Sequence, residues 1–339
     1  MTDTLKTGVL LVNLGTPDSP SNSDVRKYLR EFLNDPRVID IPKINRYLLV
    51  NLIIAPLRGP RSAKLYKSIW TREGSPLLIY TQKQTELLQR LLGENYQVEF
   101  AMRYQNPSLE SVLQKFKKPV FKELIVLPLF PQYASASTGS VHEKIMRIVS
   151  AWQIVPQIKF INSYCDHPGF IKAFAEIGSM LQPDKFDHVL FSYHGLPERQ
   201  IRSADDSGEC LSGICCEKFT HKNAFCYRAQ CFQTTRKIAE ALGLTKEKYT
   251  ICFQSRLGKD PWIKPYSDDI IKERASKGDK KLLVFAPAFT SDCLETIHEI
   301  GVEYHELFRE HGGDEVKLVP SLNDHAGWIK TMKELVATA

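Results

Sequence analysis

The run Glu123 to Phe130, ELIVLPLF, is apolar almost throughout, and its close comes back 159 residues later: Val126-Leu127-Pro128-Leu129-Phe130 is answered by Phe285-Ala286-Pro287-Ala288-Phe289. Each is followed by a turn rich in Ser and Thr and then by a helical pattern. A short continuous apolar run with β-branched residues, closed by proline, reads as a strand covered on both faces, as in parallel sheets. A second echo points the same way. Asn13-Leu14-Gly15-Thr16-Pro17 and Tyr193-His194-Gly195-Leu196-Pro197 both end an apolar run with an x-Gly-x-Pro turn. The chain therefore reads as two similar halves.

Outward from these runs, short apolar stretches alternate with longer helical patterns. Candidate strands are 8–14, 97–102, 123–128, 157–161, 188–193, 249–254, 281–286 and 316–319, and candidate helices lie at 76–92, 139–151, 168–181, 228–242 and 293–311. Strand and helix in alternation imply parallel sheets with right-handed crossovers. The fold class is α/β, two similar doubly wound domains at 1–162 and 163–339. Ligands of such sheets bind outside the carboxyl ends of the strands, so those ends, and a cleft between the halves, are where chemistry is expected.

The 339 residues are 43% hydrophobic and 25% charged, ordinary globular usage, and the length suits two domains that each bury a core. A formal charge of +6 without polybasic stripes argues against a nucleic-acid partner and suits a small anionic ligand. The strongest apolar stretch, Tyr47 to Leu57, is interrupted by Asn51 and falls short of the ~18–20 residues that span a bilayer. The chain enters its first apolar run at Gly8 with no basic region and no small-residue cleavage site before it, so a cytoplasmic, reducing compartment is expected.

His194 ends a hydrophobic strand and is followed at once by a turn. An imidazole placed there projects beyond the sheet, with an ordinary pKa suited to proton acceptance or metal ligation, although packing at a strand end explains it equally well. Past the strand ending at 286, Asp292, Glu295, Glu299, Glu303, Glu306 and Glu310 form one acidic stripe at helical spacing, opposite Leu294, Ile297, Gly301, Tyr304 and Phe308. Most of that stripe reads as a solvated face, and Asp292 with Glu295 fits a helix-capping box. Only its first turn is placed to meet His194. No G-x-G-x-x-G, G-x-x-x-x-G-K-[ST] or G-x-S-x-G occurs, which removes the usual nucleotide cradles and the serine-hydrolase elbow.

Six segments together carry a resemblance: LVNLGTP (Leu11 to Pro17), AMRYQNPS (Ala101 to Ser108), LPLFPQYASASTGS (Leu127 to Ser140), SYHGLPER (Ser192 to Arg199), CFQSRLGKDPWIKPY (Cys252 to Tyr266) and FTSDCLET (Phe289 to Thr296). In this order they resemble the signature segments of the ferrochelatases, over essentially the whole chain. The resemblance implies two Rossmann-like domains of the chelatase type around a porphyrin cleft, and insertion of Fe(II) into protoporphyrin IX to give protoheme. It implies that His194 and Glu295 handle the metal and accept protons, with Asp292 as a nearby acidic residue. Phe289 would lie next to the macrocycle, and Leu14, Ser75, Arg103, Tyr104 and Trp262 would line its pocket. Close variants of this reading are a coproporphyrin III ferrochelatase and a non-catalytic tetrapyrrole or metal carrier on the same fold; the presence of both His194 and Glu295 argues against the carrier.

The chemistry needs these residue types. A free-base porphyrin must lose two pyrrole protons, so a base must sit over the ring centre. The ring must also be bent to present its nitrogen lone pairs, strain supported by binding energy elsewhere on the macrocycle. One imidazole and one carboxylate hold iron weakly enough to release it to a better chelate, and Arg103 is suited to pair the propionates.

Five of the eight cysteines, Cys210, Cys215, Cys216, Cys226 and Cys231, fall within 22 residues directly after SYHGLPER. Even spacing would put about half a cysteine there. Cys210 and Cys215 form one pair at a given spacing, Cys226 and Cys231 another. Thiolates on a short loop select zinc or iron–sulfur clusters, while packed reduced thiols remain an alternative. Some ferrochelatases resemble this chain in carrying an internal cysteine-rich segment that holds a [2Fe-2S] cluster. Adjacent Cys215 and Cys216 are poor joint ligands of one small cluster, so one of the five is expected to drop out. Lastly, the apolar stretch Ile44 to Leu57, flanked by Arg46, Arg58 and Arg61, reads either as a buried helix or as a peripheral contact with the inner membrane face.

Overall fold

The computed structural model describes residues 5–118, 121–205, 208–256, 258 and 260–339. Leu257 and Lys259, inside the segment Cys252 to Tyr266, lie outside the described residues. Eight strands are found among them. β1 (Thr7–Gly15), β2 (Tyr96–Tyr104), β3 (Glu123–Pro128) and β4 (Gln157–Phe160) form one sheet in the order β2-β1-β3-β4. β5 (His188–His194), β6 (Tyr249–Gln254), β7 (Lys281–Phe285) and β8 (Glu315–Leu318) form a second in the order β6-β5-β7-β8. All pairings are parallel. The same order built twice is the architecture the two echoes imply. β3 is buried along its whole length, and Pro128 sits at its last position, where a missing N–H costs little.

The chain parts into two compact units, one made of 1–130, 134–162 and 329–339, the other of 131–133 and 163–328. Residues 329–339, assigned from sequence to the second domain, thus belong to the first. They form most of the helix Ala326–Thr338, whose Ile329, Met332, Leu335 and Val336 are buried, and Lys159 Nζ donates to the main-chain oxygen of Ala339 at 2.9 Å.

In the second unit, Leu190, Cys252, Leu282 and Val284 from the sheet pack with Ile300, Tyr304 and Phe308. Full burial of side chains this size contributes about 1.5–3 kcal/mol each. On the other side Phe285 stacks on Phe191 at 4.9 Å, and the helix Pro168–Met180 comes so near that a Cβ on Gly178 would lie 2.3 Å from the Phe285 ring.

The segment 293–311 departs from its expected α-helix. It is a π-helix over Glu295–Tyr304 that continues as an α-helix over His305–Glu310. Tyr304 and Phe308 are buried as their spacing implies, but in the π-helical turns Thr296 and Ile300 face inward in place of Leu294, Ile297 and Gly301, which are half-buried.

The stretch around Ile44 to Leu57 is helical, as Lys43–Leu48, a π-helical Leu49–Ile54 and Ala55–Ile69 in succession, and it buries Val50 and Ala55 while leaving its larger apolar face exposed. Ile44, Leu52 and Leu57 are 72%, 66% and 73% exposed, with Tyr47, Leu48 and Ile53 exposed beside them. Arg46 does not flank this face. It is buried and donates to the main-chain oxygens of Ile39 and Ile41. Among the described residues no helix is long and apolar enough to cross a membrane.

Candidate functional site

In the order β6-β5-β7-β8 the direction of winding reverses between β5 and β7, so the carboxyl ends of these two strands mark the switch point where α/β sheets place their ligands. His194 is the last residue of β5, and Phe289 to Glu295 follow β7.

His194 is half-buried, and its Nδ1 lies 2.7 Å from the main-chain oxygen of Gly195. A carbonyl only accepts, so this bond puts the hydrogen on Nδ1, and the neutral ring then carries its lone pair on Nε2. The adjoining turn is fixed by backbone. Gly195 N–H donates to Gln254, Ile263 N–H to Leu196, and Glu198 N–H to Pro261. This brings Trp262 to a ring-centroid distance of 6.5 Å from His194. A Cβ at position 195 would lie 2.9 Å from the Gln254 oxygen and 3.1 Å from the Trp262 ring, which accounts for the glycine.

Gln254, buried at the end of β6 and in register with His194, joins the strand ends to the π-helix. Its Nε2 donates to the carboxylate of Glu299 at 3.0 Å and to the main-chain oxygen of Glu295 at 3.4 Å. Glu299 is not on a solvated face. Its oxygens also accept from Ser255 N–H at 3.0 Å, the Ser255 hydroxyl at 2.5 Å and the Tyr304 hydroxyl at 3.3 Å. Burial raises its pKa, opposed by the Ser255 bonds and by neighbouring His194, while Glu295 raises it further. His194 and Glu295 are thus gathered about one carboxylate. Sequence reading missed Gln254 and Glu299; a polar residue at the carboxyl end of a strand was the available signal.

Asp292 forms no capping box with Glu295. Its carboxylate accepts from the Thr296 hydroxyl at 3.0 Å, Ser321 N–H at 3.2 Å and the Asn323 amide at 2.7 Å, clasping the loop after β8. Phe289 is half-buried against the sheet core.

In the first unit, Leu14 is half-buried near the end of β1. Ser75 is buried and accepts from the Thr16 hydroxyl at 2.9 Å. Arg103 is paired with buried Asp35 at 2.5 Å and donates from Nε to the Ser140 hydroxyl at 2.7 Å. Tyr104 is wholly buried, its hydroxyl donating to Asp35 at 2.9 Å, and burial raises its pKa. The charge of Arg103 is therefore already balanced within the unit, by a residue that sequence did not single out.

The eight cysteines are free thiols. Cys215 and Cys216 have their sulfurs 3.7 Å apart, Cys216 hydrogen-bonds to Cys226, and Cys210 has Cys226 and Cys215 as neighbours. Acceptance of the Cys216 hydrogen lowers the pKa of Cys226; burial and nearby thiols push Cys210 up to about 12. Cys231 differs in its surroundings, although Cys226 is near it too. It is wholly buried beside Tyr227, with Cys165 near it. The grouping is therefore Cys210, Cys215, Cys216 and Cys226, not the two like-spaced pairs. Among the described residues no three His, Cys, Asp or Glu side chains converge as ligands of a single metal ion.

A family model described as Ferrochelatase matches residues 6–339. The chain is 46% identical over 332 residues to the ferrochelatase of Legionella pneumophila (strain Lens), covering 98% of this chain and 99% of that one. It is 44% identical over 336 residues to the ferrochelatase of Coxiella burnetii (strain Dugway 5J108-111), covering 97% and 93%. Among solved structures it is similar to SirB from Bacillus subtilis with Fe3+, with a TM-score of 0.53 at 12% identity and coverage of 98% and 97%, a likeness of fold alone. This chain belongs to the ferrochelatase family.

Proposed function

We propose that this chain inserts Fe(II) into protoporphyrin IX, forming four Fe–N bonds and releasing the two pyrrole protons, with His194 and Glu295 as the acting pair. The observation that carries the assignment of roles is the tautomer of His194: with hydrogen on Nδ1, its Nε2 is free to accept a pyrrole proton. Glu295, at the first residue of the π-helix, is the oxygen donor that presents iron. Once the Nε2 lone pair takes a pyrrole proton it no longer holds iron, so the carboxylate of Glu295 alone does and the hold stays weak. Glu299, held by Gln254 and Ser255, is the next carboxylate in line for a proton. Asp292 keeps the loop that carries Phe289 and Glu295 in place, and Trp262 and Phe289 offer aromatic surface to the macrocycle. Leu14 and Arg103 belong to the porphyrin-binding set as well, Arg103 reaching a propionate only while shared with Asp35, whereas buried Ser75 and Tyr104 support that wall from behind through Thr16 and Asp35. Anaerobic incubation with Fe(II) and protoporphyrin IX tests the activity. Conversion of the free-base visible bands and Soret to those of protoheme is expected, and no conversion with any porphyrin overturns it.

Cys210, Cys215, Cys216 and Cys226 would hold a [2Fe-2S] cluster, with Cys231 left out; the 3.7 Å separation of the Cys215 and Cys216 sulfurs suits both to one cluster, against the expectation drawn from their adjacency. A two-iron cluster takes thiolates as two pairs and needs no single point of convergence, which favours it over zinc for this donor set. When bound, such a cluster supplies a one-electron redox centre. Visible absorption lost in Cys226→Ser but kept in Cys231→Ser supports this ligand set; a colourless, iron-free protein prepared anaerobically overturns it.

The exposed face Ile44, Tyr47, Leu48, Leu52, Ile53 and Leu57, with exposed Arg58 and Arg61 following, would rest on an anionic membrane surface from which the hydrophobic porphyrin is drawn.

A further inference from the structure

The cysteine segment runs directly into the two loops that frame His194. Cys226 is the N-cap of the helix Tyr227–Ala241, and the first two residues of that helix each hold one loop. Tyr227, buried, donates its hydroxyl to the main-chain oxygen of His194 at 2.8 Å and touches Cys231. Arg228 donates from Nε and Nη2 to the main-chain oxygen of Lys264 at 3.4 and 3.3 Å, two residues past Trp262. Its guanidinium also lies 4.4 Å from the Phe232 ring, and its charge favours the thiolate form of Cys216. From the same helix, Arg236 donates to the main-chain oxygen of Cys216 at 2.9 Å. One helical turn therefore joins the thiols to both strand-end loops.

We propose that Tyr227 and Arg228 are positioning residues that pass the state of Cys226, free or ligated, to His194 and Trp262. The His194 ring is bonded to the peptide that follows it, so the strand end and Nε2 move together. Displacing Tyr227 loosens that strand end, and a misplacement of about 1 Å at a reacting group is enough to cost ~10²-fold in rate. Arg228 does the same for the turn that brings Trp262 beside the imidazole. The inference rests on His194 as the residue that acts on iron and pyrrole protons, a reading that loss of turnover in His194→Ala tests separately.

Hydrogen exchange by mass spectrometry on the full chain tests the coupling without relying on activity. Cys226→Ser puts a favoured N-cap residue where Cys226 makes no side-chain cap bond, so the helix is retained. In the wild-type background this variant is expected to speed exchange roughly two- to tenfold in peptides 189–198 and 260–266. In a Tyr227→Phe background the same substitution leaves 189–198 unchanged and still speeds 260–266, because Arg228 remains. Tyr227→Phe alone lowers kcat with the porphyrin KM unaltered. An equal response of 189–198 with and without the Tyr227 hydroxyl, or no response to Cys226→Ser at all, overturns the proposal. Since exchange is read from the backbone, that result stands whether or not His194→Ala keeps turnover.

Discussion

One hydrogen bond decides which nitrogen of His194 is available for chemistry, because the Gly195 carbonyl takes the Nδ1 hydrogen. His194→Ala is expected to lower turnover at least ~10²-fold with unchanged circular dichroism. Glu295→Gln should raise the KM for Fe(II) more than the KM for porphyrin, read as a split between the two values. Two other histidines act on stability. His142, whose Nε2 has no partner and whose ring lies 4.4 Å from Phe160, and His188, bonded to the Thr250 hydroxyl at 2.8 Å, are each lowered by burial to about 4 from an ordinary 6.5. Between those values the unfolded chain takes up protons that the folded one refuses, so stability is present above pH 6.5 and lost as pH falls toward 4. The urea midpoint should drop between pH 7 and 4.5, and less so in a His142→Gln, His188→Gln variant; an equal drop in both would refute the assignment. At this scale sequence identifies residue types but not their partners. Arg103 and Tyr104 look alike as pocket residues in AMRY, and only folding brings Asp35, nearly seventy residues earlier, against both.

Elements with strong local signals were legible, and those whose geometry depends on packing were not. β3 and β5 stand out because burial on both faces demands an unbroken apolar run. The helix Pro168–Met180 follows its apolar spacing. The segment after β7 was misread because its spacing was judged by an α period, whereas a π-helix brings residues four apart nearly into line and turns Glu299 toward Gln254. The helix Ser267–Ser276 carries low mean hydropathy and little apolar periodicity, whereas Asn22–Leu33 repeats Val25, Tyr28, Leu29, Phe32 and Leu33 at helical spacing and is legible in the sequence, though it is not among the candidate helices above. Close approaches offer a test at this scale. Gly178→Ala should destabilise by about 1–3 kcal/mol in urea unfolding, because the Phe285 ring is fixed by stacking on Phe191 and cannot yield. Gly195→Ala should press on both the Gln254 carbonyl and the Trp262 ring, raising the porphyrin KM and destabilising by about 1–3 kcal/mol.

For the molecule as a whole, the exposed apolar face at Ile44 to Leu57 predicts a measurable partition. The chain should float with vesicles containing anionic lipid, and Leu52→Glu with Leu57→Glu should abolish flotation while leaving turnover in detergent intact. Flotation unaffected by both charges would show that another surface binds. The two sheets share one strand order, yet their equivalent strand ends differ: where β5 closes on His194-Gly195, β1 closes on Leu14-Gly15. The scaffold is thus duplicated and the reactive group is not. Leu14→His would restore the imidazole to the first copy without a Gln254 or a π-helical carboxylate to serve it, since Arg103 occupies the corresponding place on β2. Symmetry of frame with asymmetry of equipment leaves one half free to vary its strand ends toward ligand shape, while the other stays committed to iron.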